Sequence, residues 1–319
     1  MKVYDRARRV GRAAILLAVV LRLWSAGLPE LLIQSLLTKR ETGQDARFSD
    51  SFGNFFPDFS ESFSAMVTEP ALPVFSGSEH VPITNFSLKE PDISSALQRE
   101  LRWSLYGQEP AVLILHTHST ESYAKQEEDY DETSAWRTLD ERYNMLSIGA
   151  HVAQRLKTAG IPTVQDRTIH DHPSYNGSYV DARKSIKAFL EQSPTIRLIL
   201  DLHRDASGGA SQMRTSAQVE GKTAAQLMVV LGTNYDTYED NLSLGLKLHT
   251  QLEQTHPGLM RPLQLRTQRF NQDLSPGALL IEVGAAGNTH SEALTAAEAL
   301  ADAVIALANG TALPETAPS

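Results

Sequence analysis

From Ile93 onward the chain alternates short unbroken apolar runs with longer segments in which apolar residues recur every three or four positions. The runs read as buried strands and the longer segments as amphipathic helices. The strands are Ala111 to His116, "IPTVQDR" from Ile161, Thr195 to His203, Ala225 to Thr233, "LQLRTQR" from Leu263 and "GALLIEVG" from Gly277. Between and after them, helical spacing covers Asp140 to Gly160, Ser178 to Gln192, Glu239 to Gln254 and Ser291 to about Asn309. Strands alternating with helices of this length predict βαβ units. The expected fold class is α/β: a three-layer sandwich around a mainly parallel central sheet of about six strands. Gly177, Gly208 and Gly209 read as turn residues, because no GxGxxG or Walker spacing follows a strand.

Before Ile93 the pattern changes. Lys2, Arg6, Arg8, Arg9 and Arg12 precede the apolar run Ala13 to Leu21, which has the form of a signal sequence or signal-anchor. Arg22 interrupts the run, and Pro29 and Glu30 break its continuation, so it is short for a spanning helix. "LWSAG" from Leu23 offers small residues for cleavage, and an amphipathic soluble helix is the third reading. The expected organisation is a signal-anchor region at 1–40, a low-complexity extended tether at 41–92, a catalytic domain at 93–311 and a flexible tail at 312–319. The catalytic domain would then work outside the cytoplasm, at the cell membrane or secreted after cleavage.

Composition narrows the chemistry. A chain of 319 residues with 41% hydrophobic content can bury a substantial core. A net charge of -9 argues against a general nucleic-acid binder, which needs a basic face. The absence of cysteine excludes disulfides, thiolate metal sites and cysteine nucleophiles, so any metal must use histidine and carboxylate.

In an open α/β sheet, ligands bind beyond the carboxyl ends of strands. Three predicted strands end in polar residues: His116, His118 and Glu121 follow the first; Asp201, His203, Arg204 and Asp205 close the third; Glu282 lies in the last. Alternation along a strand lets His116 and His118 share a face, and likewise Asp201 and His203. Two histidines and a carboxylate with one open position make a catalytic zinc site, and a further carboxylate can act as general base. Glu282 suits that role, because partial burial behind "ALLI" would raise its pKa. The same residues also suit ordinary hydrogen-bonded framework roles, and HxH alone is a weak signal. His151, His249, His256 and His290 read as bland, and His170 and His172 as rim residues. No GxSxG turn supports a serine hydrolase.

The stretches "LILHTHSTESY", "DHPSYNGSYVDAR", "LILDLHRDA", "VVLGTN" and "RFNQDLSPGALLIEVGAAGNTHSEA", in this order, resemble the stage II sporulation protein P family, over about Glu109 to Leu307. That resemblance implies a zinc amidase-like fold and a membrane-anchored, zinc-dependent N-acetylmuramoyl-L-alanine amidase of sporulation and engulfment. Endopeptidase activity on peptide cross-links is implied as a second activity. Carried over by motif, His118 and His203 become Zn2+ ligands and Glu282 the catalytic carboxylate. Glu121 is the third ligand, with Glu141 the other candidate. His116 becomes an alternate ligand or an orienting group, and Arg204 an oxyanion or substrate-carboxylate contact, or a surface ion-pair partner. The implied partners are peptidoglycan, the membrane through the N-terminal segment, and stage II sporulation proteins D and M, with no nucleic acid. Two other functions fit the same residues: a catalytically idle wall-binding scaffold, and a zinc carboxypeptidase-like hydrolase.

Overall fold

The computed structural model describes residues 81–101, 104–126, 136–206 and 213–310. The anchor region 1–40, the tether as far as residue 80 and the tail 312–319 lie outside the described residues. Among the described residues no helix is long and apolar enough to cross a membrane.

In chain order the elements are β1 (Ile83–Asn85), α1 (Ile93–Gln98), β2 (Val112–Leu115), α2 (Met145–Thr158), β3 (Thr163–Gln165), α3 (Ser178–Gln192) and β4 (Leu198–Asp205). There follow β5 (Ser216–Val219), β6 (Lys222–Ala225), β7 (Leu227–Gly232), α4 (Tyr238–Thr255), β8 (Leu263–Arg266), a 3-10 turn (Gln272–Leu274), β9 (Ala278–Ala285) and α5 (His290–Ala308). β5 and β6 form a separate antiparallel pair. The other strands make a seven-stranded sheet in the order β1-β8-β7-β9-β4-β2-β3. Every neighbour is parallel except β7 and β9, which run antiparallel. The sheet is therefore two parallel blocks of opposite direction, and β3, β2, β4 and β9 share one.

The apolar runs are continuous because both faces of the sheet are covered. On one face, Leu113, Leu115, Ile199 and Ala278 pack against Ala182 and Ile186 of α3. On the other, Val112, Ile114, Leu200, Leu202 and Ile281 join Ile148 and Val152 of α2, Leu246 of α4 and Leu300 of α5. Local signals set the helix ends. Asn144 accepts the Leu146 N–H as N-cap of α2, so this helix starts five residues after Asp140. Thr289 and Glu292 form a capping box on α5.

One boundary shifts. Residues 81–92, aperiodic and assigned to the tether by sequence, carry β1, whose Ile83 is buried and pairs with Leu263 on the edge of the sheet. The sheet thus gains a seventh strand. Three residues are too few to display a period of two.

Candidate functional site

β2, β4 and β9 run the same way, so their carboxyl ends meet at one edge. Leu115 is in register with Asp201, and His203 with Glu282. Cross-strand partners in a sheet face the same side, which puts Asp201, His203 and Glu282 together on the α3 face. Past Leu115 the chain leaves the strand in a turn closed by its own hydroxyls. Thr117 donates through N–H and Oγ1 to the Asp201 carboxylate, at 2.8 and 2.6 Å. Ser119 Oγ donates to His116 O, and the Glu121 N–H to His118 O. That turn carries His118 to the Glu282 face, where its ring stands 5.3 Å from that of His203, nearly perpendicular to it. Glu121 is buried, with Oε2 3.7 Å from His203 Nδ1. The four residues His118, Glu121, His203 and Glu282 are brought to one place.

Charge is concentrated there. Burial disfavours a charged His203, yet Asp201, Glu121 and Glu282 together outweigh it and push the imidazole up to about 10. Burial likewise opposes charge on Asp201, but His203 and the two Thr117 hydrogen bonds hold its carboxyl below the usual range. His203 Nε2 lies 3.0 Å from Asp201 Oδ1 as an ion-pair contact, and Nδ1 is turned to Glu121. A buried imidazole ringed by three carboxylates is a place that draws a cation, whether a proton or a divalent metal. The donor types fit zinc: two imidazoles, one carboxylate, and a second carboxylate beside them. Among the described residues no three such side chains stand in a ready metal-ligand arrangement. Asp201 engages one nitrogen of His203, and the Tyr175 hydroxyl lies 3.1 Å from Nε2 of His118.

Two sequence assignments need correction. His116 does not share a face with His118; it points to the opposite side of the sheet, against α2. Its Nδ1–H donates to Leu202 O at 3.0 Å, so Nε2 accepts from the Gln165 amide at 3.1 Å. A Cβ on Gly149 would sit 2.3 Å from that Nε2. Burial lowers the ring's pKa to about 4, over the opposing effect of the Leu202 bond, so His116 is a neutral framework histidine. Arg204 is buried and not a surface ion-pair residue, because it alternates with His203 and faces inward. Its side chain donates to Ser122 O and Trp136 O, and its backbone N–H to Glu121 Oε2 at 3.1 Å. It therefore positions Glu121. Glu141, the other candidate third ligand, is half exposed and paired with Arg167.

Three site residues escape sequence reasoning. Tyr175 stacks on His118 with centroids 4.4 Å apart, and Tyr179 lies edge-on to His118 at 5.6 Å and parallel to His203 at 6.3 Å. Tyr179 lies in the first turn of α3, whereas Tyr175 precedes its N-cap Gly177, so no helical spacing in "YNGSY" links the two rings. Arg137 lies over the Tyr175 ring at 4.7 Å, pairs with buried Asp171 at 2.6 Å and stands 3.4 Å from Glu121. It sits in an aperiodic loop that carries no local signal. His170, read as a rim residue, is buried and paired with Asp166. His290 bonds Ser147 Oγ.

Comparison with known proteins gives the chain relatives. The family model described as Stage II sporulation protein P matches residues 74–305. Stage II sporulation protein P of Bacillus subtilis (strain 168) is 29% identical over 228 residues, which is 67% of this chain and 55% of that protein. The chain thus spans about half the length of the curated relative it matches. Among solved structures, N-acetylmuramoyl-L-alanine amidase AmiC2 of Nostoc punctiforme superposes with a TM-score of 0.40 and 15% identity, covering 63% of this chain and 98% of that one. The catalytic domain of the CD27L endolysin targeting Clostridia difficile gives 0.40 and 14%, covering 63% and 97%. An N-acetylmuramoyl-L-alanine amidase from Clostridium difficile 630 gives 0.36 and 13%, covering 64% and 100%. With its matched region running from ahead of the edge strand β1 into the last helix, and all the candidate site residues inside it, the chain belongs to the stage II sporulation protein P family.

Proposed function

We propose that this protein is a sporulation peptidoglycan hydrolase that cleaves the amide between N-acetylmuramic acid and L-alanine, with Zn2+ held by His118, His203 and Glu121. The observation that carries the reading is the convergence of His118, Glu121, His203 and Glu282 at the carboxyl edge of one parallel block. Zinc in such a donor set supplies a Lewis acid and water acidic enough to attack at neutral pH. The chain's own residues do the rest. Asp201 orients His203, and the Arg204 N–H holds Glu121 toward it. Glu282, beside His203 in register, takes the proton from the attacking water and returns one to the leaving amine. In this reading the domain acts outside the cytoplasm, tethered by the segment at residues 1–40, and fractionation of the full chain with membranes tests that part.

The hydrolytic reading is tested with the full chain, purified sacculi, metal analysis and mass spectrometry of the soluble products. Wild type loaded with zinc is expected to release stem peptides with free L-alanine amino groups and leave intact glycan. Glu282→Gln should abolish release at unchanged zinc content. Wild type that retains sacculi without solubilising them overturns hydrolysis in favour of a binding scaffold, and products cleaved only within peptides overturn the amidase assignment. Loss of zinc from Glu282→Gln would make Glu282 a ligand instead of a base.

A further inference from the structure

The segment "RFNQDL", from Arg269 to Leu274, is part of the family motif but has no place in the mechanism above. Its backbone is unusual: Phe270 and Asn271 both have positive φ, 47° and 56°. A bulky side chain rarely adopts that conformation, and it persists only where the surroundings enforce it. They do. Gln272 accepts from the Gly232 N–H at 2.8 Å and donates to Val230 O at 2.9 Å, latching the segment onto β7. The Asn271 amide donates to Tyr179 O at 2.8 Å, and Arg183 of α3 forks onto Asp273 at 2.8 and 2.7 Å. The outcome is that Phe270, packed from beneath by Met228, Val230 and Leu280, stands 5.8 Å from the Tyr179 ring. Met228 is the antiparallel partner of Glu282, and Tyr179 lies along His203. A two-ring aromatic surface, neither ring fully buried, is thus clamped beside the proposed catalytic carboxylate.

The two flanks of the site differ in chemistry. One is this aromatic pair. The other carries Arg137, lying over the Tyr175 ring, with Asp171 and Thr120, so charged and hydrogen-bonding groups cap its one aromatic ring. A substrate cleaved between a sugar and a peptide differs in the same way. A pyranose ring offers an apolar C–H face that suits the negative face of an aromatic ring, whereas a stem peptide offers amides and carboxylates. We propose that Phe270 and Tyr179 form a glycan platform that takes the face of the muramyl pyranose and so sets which side of the scissile amide holds the sugar. The assignment rests on the peptidoglycan reading above and names the part of that substrate which the strained segment serves.

The test is binding of the disaccharide N-acetylglucosaminyl-N-acetylmuramic acid, which has no peptide, to the full-length zinc-loaded protein by calorimetry. Hydrolysis of muropeptides is measured in parallel. Wild type should bind, and Phe270→Ala should bind about tenfold more weakly, equal to ~1.4 kcal/mol. Phe270→Leu, which refills the space over Met228 and Leu280, should bind as poorly as alanine, whereas Phe270→Tyr should restore binding. A merely structural role predicts the opposite, rescue by leucine. Wild type that does not bind the disaccharide, or binds it equally with Phe270→Ala, overturns the platform even if hydrolysis is intact. Binding that depends on Phe270 without any hydrolysis supports the platform and sinks the enzymatic reading instead.

Discussion

Replacing His116 by alanine separates a framework histidine from a metal ligand. The substitution deletes a buried ring, removes its hydrogen bonds with the Leu202 carbonyl and with the Gln165 amide, which keeps Leu146 O, and opens a void beneath Gly149. A void of that size and the lost hydrogen bonds cost about 3–5 kcal/mol together near neutral pH. Proton linkage supplies a second measure. Burial holds the His116 pKa at about 4 against the ordinary 6.5, so between those values the unfolded chain binds a proton that the folded chain refuses. The stability contributed by this residue is full above pH 6.5 and falls as the pH drops toward 4. The loss is about 3.4 kcal/mol, taking about 1.36 kcal/mol per pH unit. Alanine has no such proton. Urea unfolding of both proteins near neutral pH and again at about pH 4 should show the gap between them narrowing by about 3 kcal/mol on acidification. Zinc per chain should be the same in both. A gap that does not change with pH refutes the buried neutral histidine, and a variant of wild-type stability that no longer holds zinc would return His116 to the ligand set.

Gly149→Ala should destabilise the fold although alanine favours helices. Its Cβ would lie 2.3 Å from His116 Nε2 and 2.5 Å from Gln165 Nε2, an overpacking expected to cost about 1–3 kcal/mol, and an unchanged melting temperature would contradict the contact. Asp201→Asn keeps the shape of the side chain but removes its charge from beside His203, so zinc affinity measured by chelator competition should fall about 10–100-fold. Unchanged affinity would mean that Asp201 does not orient the ligand.

How much of this was legible in the sequence follows from what a strand period can report. β2, β4 and β9 announce themselves because strands covered on both faces read as unbroken apolar runs, and each run ends in residues that can do chemistry. The same period separates His203 from Arg204, which point to opposite faces as neighbours in a strand must. It fails at His116 and His118 because β2 ends at Leu115. His116 still follows the face of Ile114, but the turn tied down by Thr117 and Ser119 then carries His118 to the other side. Alternation cannot be continued into a turn. A glycine inside α2 was the one local hint, since Gly149 marks a close approach that only His116 and Gln165 explain.

Tyr175 and Arg137 were out of reach for a different reason. Each comes from a loop and meets the site through tertiary contacts, Tyr175 on a histidine 57 positions away and Arg137 across Glu121 and Asp171. No local period encodes such a meeting. The strained pair Phe270 and Asn271 lies between these cases: the residues were visible within a motif, but the clamp that gives them meaning is made by Gly232, Val230 and Arg183 from two distant elements. Motif recognition can therefore say that such a segment matters well before it can say why. The physical reason appears only when backbone strain, the bonds that enforce it and the ring it presents are considered together, and in this protein they lead to the flank of Glu282.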